Sequence, residues 1–557
     1  MLPKVNKDIR RSPSDRSPDS TRLHSSYLYW LLLLFLAFVV CAPLTYPGYF
    51  QVHSGFLPVY NLYDLEAQRG GLTWAPVVGR DFDLLRGEGP LPYALAEATR
   101  WLGAGGVAAV KLVFGLGLGL GALGMYGWAR RLLGGRGALL AALVYACWPY
   151  ALATVYVRGA LAETLFLGLL PWTLWALQRL LDGYRWGAAL VAGGVALLSW
   201  TQPGLALWAA VALLAYGLAL RSSHWAMILI GVLGGLLLGA AGLWPLAAAR
   251  GTGGTAIIFS EHFVYPFQLL SAAWGHGVSI PGWQDDFPLQ LGLAAVGLAV
   301  VAVYLLVSGP VLKHRAERAK PAGSGLALAP TLWACAGLVL GLTFLTLTWA
   351  APLWRLPGLS QASRALTYPW QLLTLVGPFL SLLAGSVVPL RWGQKGEGEG
   401  LPLWAALIAL TLLASYGYLE TRTTRYEPGA APLAVLGDNE VLLLDAQVEG
   451  ALQPGRTVRL SVHWQPLRPL AKDYTIFVHA VDETGKLWGQ QDTQPQSGGY
   501  PTSQWQVGEV IEDRYELRIA ADGPPEGYHL HLGLYDWQSG ERMRVGDDNK
   551  VIIGKMP

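Results

Sequence analysis

YLYWLLLLFLAFVVCAPL, residues 27–44, carries no charged side chain. At about 1.5 Å of helix rise per residue such a run reaches nearly across a hydrocarbon core of about 30 Å. Similar apolar runs recur as far as residue 418, separated by short polar joints. No water-soluble fold uses so much unbroken apolar helix, so the chain reads as a polytopic α-helical membrane protein. The first run is too long and too aromatic for the core of a signal peptide, and no small-x-small cleavage site follows it. It reads as a retained anchor.

The composition agrees. Of 557 residues, 53% are hydrophobic and 14% are charged, which fits a multi-pass protein carrying one soluble part. A formal net charge of +3 is too small to imply a nucleic-acid partner. Cys41, Cys147 and Cys335 all fall in apolar runs, and no CxxC pair or disulfide framework is present.

About eleven spans are predicted, near 27–44, 106–128, 138–150, 163–178, 186–200, 204–220, 225–246, 287–307, 327–350, 366–388 and 402–418. Residues 1–26 are basic and rich in Ser and Pro, as in a disordered cytoplasmic tail. With that tail inside, the inner joints hold Arg130, Arg131, Arg136, Arg179, Arg185, Arg221, Lys313, Arg315, Arg318, Lys320, Arg391 and Lys395. The longer outer joints are poorer in bases. This bias predicts a cytoplasmic N-terminus in a plasma membrane and an extracytoplasmic C-terminal part. Residues 27–427 then form the helical domain, with large outer loops at 45–105 and 247–286.

Residues 428–557 change pattern. Val441–Val448, Val458–Trp464, Thr475–Val481, Tyr515–Ile519 and Tyr528–Tyr535 alternate with turns such as LQPGR and DGPPEG. Period-two patterning at this spacing predicts an antiparallel β-sandwich.

The first outer loop carries the densest set of acids: Asp64, Glu66, Asp81, Asp83 and Glu88, beside His53, Trp74 and Tyr93. Carboxylates there can act as a general base or hold a divalent metal, and aromatics can stack on a sugar. Asp81 and Asp83 in GRDFD form the best pair, since residues two apart in an extended segment face the same way. The plain alternative is a solvated interfacial loop, where acids are ordinary. In YVRGALAE, Arg158 and Glu163 sit where an outer loop enters a span, and ionisable groups there are costly. The Arg158 fork suits phosphate oxygens, with Glu163 orienting it or acting as base; a structural salt bridge is the alternative. Arg364 precedes the tenth span and could meet a lipid phosphate or a partner acid, with a bare structural role as the alternative. Glu261 and His262 lack metal-ligand spacing and read as single interfacial residues, while Asp285 and Asp286 close their loop. GLGLGLGALG (Gly115–Gly124) lies inside a span and reads as a helix-packing stretch rather than a phosphate loop.

Several segments resemble a known group. WAPVVG, AAVKLVF, GMYGWARRLLG and VYVRGALAET between Gly48 and Leu181, and TYPWQLLTLVGPFLSLLAG later, resemble bacterial membrane proteins labelled 6-pyruvoyl-tetrahydropterin synthase-related. That group is similar in layout to the GT-C glycosyltransferases. GRTVRLSVHWQPLRPLAKDYTIFVHAVDETG resembles a β-sandwich module found at the end of similar proteins. The resemblance implies a polyprenyl-phosphate sugar donor, an envelope glycan or protein acceptor, and an acidic base in the first outer loop. Enzymes of that type place an Asp just after the first span. Here the segment reads QVHSGF, with His53 and no acid before Asp64, so the role passes to Asp64, Asp81 or Asp83. That departure motivates a competing reading: a non-catalytic envelope protein whose sandwich binds glycan or a partner. A transporter is a third reading, although the charges crowd at span ends rather than deep within spans.

Overall fold

A computed structural model of the chain describes residues 20–50, 56–67, 88–240, 259–276, 279–308, 328–392, 400–429, 432–438, 440–546 and 548–554. The first apolar run is helix α1 (Ser20–Cys41). Leu33, Leu36 and Val40 are buried, while Leu31, Leu34, Phe35 and Phe38 are 60–67% exposed. An exposed apolar stripe of this kind suits lipid rather than water.

After α2 (Leu57–Ala67) and α3 (Leu91–Trp101) comes α4 (Gly106–Ala146), whose backbone breaks at Gly134 with φ 76° and ψ −179°. Only glycine adopts such a conformation without strain. The chain doubles back there: a Cβ on Gly121 would lie 3.0 Å from the Tyr145 ring. A straight helix would part those residues by about 36 Å. The two spans predicted on either side of residue 134 are thus the arms of a helical hairpin.

Short helix α5 (Pro149–Tyr156) leads into α6 (Leu161–Leu181). The first arm of α4 packs closely on α6, with a Cβ on Gly117 falling 2.7 Å from the Thr164 carbonyl oxygen and one on Gly168 falling 2.6 Å from that of Gly117. The glycine stretch does serve helix packing. Helices α7 (Gly187–Thr201), α8 (Pro203–Ala219), α9 (Trp225–Leu238), α10 (Leu293–Ser308) and α11 (Leu328–Thr346) follow. Short α12 (Pro357–Ala362) precedes α13 (Leu373–Trp392) and α14 (Leu401–Ser415). In α13 every residue from Leu373 to Leu390 is buried. A helix apolar all round belongs inside the bundle.

Among the described residues, five helical segments are long and apolar enough to cross a membrane: Gly106–Ala146, Leu161–Leu181, Leu328–Thr346, Pro369–Trp392 and Leu401–Leu419. Five shorter apolar ones accompany them: Tyr29–Thr45, Gly187–Thr201, Pro203–Ala219, Trp225–Leu238 and Leu293–Ser308. Their positions follow the predicted spans. Among the described residues the crossing criterion is met by five segments where eleven spans are predicted, because α4 holds two predicted spans in one hairpin and five other helices are only 10–17 residues long.

The C-terminal part forms two four-stranded antiparallel sheets. After β1 (Tyr49–Phe50) and β2 (Thr423–Thr424), one sheet comprises β3 (Ala434–Leu436), β4 (Val441–Glu449), β5 (Thr457–Pro466) and β8 (Ile511–Arg518). The other has the order β10 (Val551–Ile553), β9 (His529–Tyr535), β6 (Thr475–Val481) and β7 (Leu487–Thr493). Val458, Leu460, Val462 and Trp464 face Ile476, Val478, Leu530 and Leu532 in one buried cluster. Strict alternation of buried and exposed positions along β8 is the amphipathic signature of such a layer. Three strands of these two sheets, β3, β7 and β10, are not predicted from the sequence pattern. In β7, LWGQQDT, no residue is fully buried, so it lacks an alternating signal.

The sandwich is tied to the first loop. Strand β1 pairs antiparallel with β2, Tyr63 donates a hydrogen bond to the Pro428 carbonyl at 2.9 Å, and Phe56 meets Tyr426 edge to face at 5.6 Å. Leu442, Leu444 and Leu467 join the core of the helical part. All three cysteines are unpaired.

Candidate functional site

Arg158 and Glu163 meet because Gly159, at φ 64°, turns the chain between α5 and α6. Glu163 falls in the first turn of α6, and its Oε2 lies 2.7 Å from an Arg158 guanidinium nitrogen. Both side chains are buried, with 7% and 2% exposure. The second carboxylate oxygen, Oε1, accepts from Tyr150 at 2.7 Å and from Thr374 at 2.6 Å. Thr374 lies in the first turn of α13, so the carboxylate lies near the N-terminal ends of both α6 and α13, where helix dipoles favour negative charge. With both oxygens engaged, Glu163 acts as an anchor for the guanidinium.

An aromatic wall backs the arginine. The Arg158 guanidinium stands 4.7 Å from the centre of the Trp370 ring, and Tyr368 stacks on that ring at 4.5 Å and 16°. Phe287 adds a third ring, 5.2 Å from Trp370. The wall restricts the guanidinium by cation–π contact. Trp370 belongs to the short 3-10 turn Pro369–Leu372, which the sequence reading merged with the tenth span.

A third ionisable group comes from the first loop. The Glu88 carboxyl accepts a hydrogen bond from the Ala162 backbone N–H, at the start of α6, and another from the Tyr93 hydroxyl. Asn61 donates to that hydroxyl at 2.9 Å, so α2 and α3 both hold the group. Burial pushes the Glu88 carboxyl up to about 7, and the charge of Glu163 adds to the rise. The Tyr93 and Ala162 hydrogen bonds and the charge of Arg158 pull the other way, but burial dominates. A carboxyl poised near neutrality can take or give a proton at physiological pH.

Beyond the wall lies an ordered relay. Ser279 donates to Asp285 Oδ2 at 2.8 Å, which leaves its oxygen to accept from His262 Nδ1–H at 3.1 Å. That order fixes the imidazole tautomer and leaves Nε2 with its lone pair. The His262 ring meets Tyr368 edge-on at 5.0 Å. Burial lowers the pKa of His262, and the charge of Glu261 only partly offsets this. The pair Glu261–His262 read as two isolated interfacial residues; His262 is instead a bonded part of the loop beside the wall.

Of the sequence candidates, the structure joins Arg158 to Glu163 directly. Arg364 lies exposed in the turn Ser363–Ala365 and is not bonded to them. His53, Trp74, Asp81 and Asp83 lie outside the described residues. Asp64 has its backbone in α2, while its side chain lies outside them. Among the described residues no three His, Cys, Asp or Glu side chains gather to hold a metal ion. Glu88, Trp370 and Thr374 were missed as partners of the ion pair, since only the fold brings positions 88, 163 and 374 together.

No family model matches the chain, and no curated protein matches it. Among solved structures it is similar to ArnT from Cupriavidus metallidurans in the apo state, at 13% identity and a TM-score of 0.32, over 68% of this chain and 79% of that one. The superposition is loose, so the functional reading rests on this chain's own residues.

Proposed function

We propose that the protein is a membrane glycosyltransferase moving a sugar from a polyprenyl-phosphate donor to an envelope glycan or protein acceptor on the outer face of the plasma membrane. The observation that carries this reading is the convergence of Glu88, Arg158 and Glu163 at the start of α6. In the reaction the acceptor oxygen bonds to the anomeric carbon, and the bond from that carbon to the phosphate oxygen breaks. The acceptor hydroxyl proton passes to Glu88, and the polyprenyl phosphate leaves with the electron pair. Charge developing on that phosphate is the main obstacle, and a preorganised guanidinium lowers it. Arg158 supplies that charge, and Glu163 and Trp370 fix its direction. Asp64, Asp81 and Asp83, in the same loop, compete with Glu88 for the role of base or hold a divalent metal.

The test is transfer from a panel of polyprenyl-phosphate hexoses and pentoses by purified protein in lipid. Glu88→Gln should lower turnover about 10²–10⁴-fold, the usual weight of a general base. Asp64→Asn, Asp81→Asn and Asp83→Asn separate the remaining carboxylates. Unchanged turnover in Glu88→Gln would remove Glu88 from the mechanism, and no turnover of any donor would sink the assignment to this class.

A further inference from the structure

The sandwich carries histidines that the transfer reaction does not use. His529 and His531 lie two apart on β9, so both project from the same side of the sheet. Their Nε2 atoms are 3.2 Å apart. On the neighbouring strand β6, His479 stands directly opposite His531 in the register. All three are partly accessible, on the face turned away from the sandwich core. The His479 ring is held 2.9 Å from Asp492 on β7.

Two imidazole nitrogens each about 2.0–2.1 Å from one tetrahedral cation lie about 3.3–3.4 Å from each other. The His529–His531 separation is close to that value. We propose that this face of the sandwich is a binding site for a borderline transition cation such as Zn²⁺, Ni²⁺ or Cu²⁺. His529 and His531 hold it through Nε2, while His479 stays with Asp492 beside them. The free positions are left to water or to a donor group of a bound partner.

The electrostatics bear on affinity. Burial, with the positive fields of His529, Lys550, His479 and Arg542, pulls the His531 imidazole down to about 4. Lys550 and Arg542 also oppose an incoming cation, while Asp492 favours it. The Arg542 guanidinium is held over the Phe477 ring, 4.1 Å from its centre. The balance points to a modest site that ranks metals in the usual order, Cu²⁺ above Zn²⁺ and Ni²⁺.

The experiment uses the full chain in lipid nanodiscs without a polyhistidine tag. Cu²⁺ is added to one equivalent, and the coupling pattern in its electron paramagnetic resonance spectrum counts bound imidazole nitrogens. Two are expected. Zn²⁺ titration should then show at least a tenfold loss of affinity in His529→Gln and in His531→Gln, and none in His224→Gln. The nitrogen count comes from the unaltered protein, so the answer does not depend on the variants folding. One nitrogen or none, or equal Zn²⁺ binding by the protein and by His529→Gln/His531→Gln, leaves only a hydrogen bond between two imidazoles and overturns the proposal. None of these outcomes depends on whether the protein transfers sugar.

Discussion

Replacing Glu163 by Gln keeps the shape and keeps a carbonyl oxygen for Tyr150 and Thr374 to donate to. It removes the countercharge of Arg158, whose side chain is only 7% exposed. Breaking one side of a buried ion pair costs about 3–5 kcal/mol, because the remaining charge stays desolvated. Glu88 moderates the loss. It lies close enough to feel both charges, and losing the negative field of Glu163 lets it ionise more readily. The cost should therefore be largest at pH 5.5, where Glu88 is protonated, and smallest at pH 8, where it is charged. Glu163→Ala should be worse at either pH, since two buried hydroxyls lose their acceptor at about 1–3 kcal/mol each. Arg158→Met with Glu163→Leu should be milder than either single change, because no lone charge is left behind. The assay is thermal unfolding in nanodiscs followed by tryptophan fluorescence. Glu163→Gln should lower the midpoint by about 5–10 °C. A midpoint equal to that of the unaltered protein at both pH values would refute the view of the pair as a buried, mutually dependent unit.

Three other outcomes follow from particular residues. Glu88 has a folded-state pKa of about 7, above its ordinary value, so it favours the folded state fully below pH 4.5 and loses that contribution as pH rises through 7. Chemical denaturation between pH 4.5 and 8 should show this decline, and Glu88→Gln should flatten it. Gly117→Leu should drive a side chain into the Thr164 carbonyl, since even a Cβ there would lie 2.7 Å away; overpacking of about 1–3 kcal/mol should appear as lower yield of monodisperse protein. Trp464→Ala should empty the centre of the sandwich, where the residue is fully buried, at a cost of about 3–5 kcal/mol. Proteolysis should then cut first within residues 432–554, with α4 and α13 still protected.

What the sequence made legible was local. Charge-free runs mark the apolar helices because each helix satisfies its own backbone, whatever its neighbours do. Period-two alternation marks β5, β6 and β9, whose buried residues meet the opposite sheet. Strand β7 gives no such signal because none of its residues is fully buried. The ion pair was readable because five positions separate Arg158 from Glu163, one turn and one helix start apart. Glu88 was visible only as one acid among several. Its role depends on α2 and α3 bringing it to the α6 N-terminus, and no spacing rule encodes that. The relay from Asp285 through Ser279 to His262 was hidden for the same reason, since its members lie apart in an irregular loop.

The most direct test of the central claim is a structure of the protein in lipid with a non-hydrolysable polyprenyl-phosphate sugar analogue. The account predicts a phosphate oxygen about 2.7–2.9 Å from the Arg158 guanidinium, the distance of a charge-assisted hydrogen bond, with the Glu88 carboxyl facing the anomeric carbon's acceptor side. A phosphate seated elsewhere in the bundle, out of reach of the Arg158 guanidinium and with Glu88 walled off from the sugar, would contradict it.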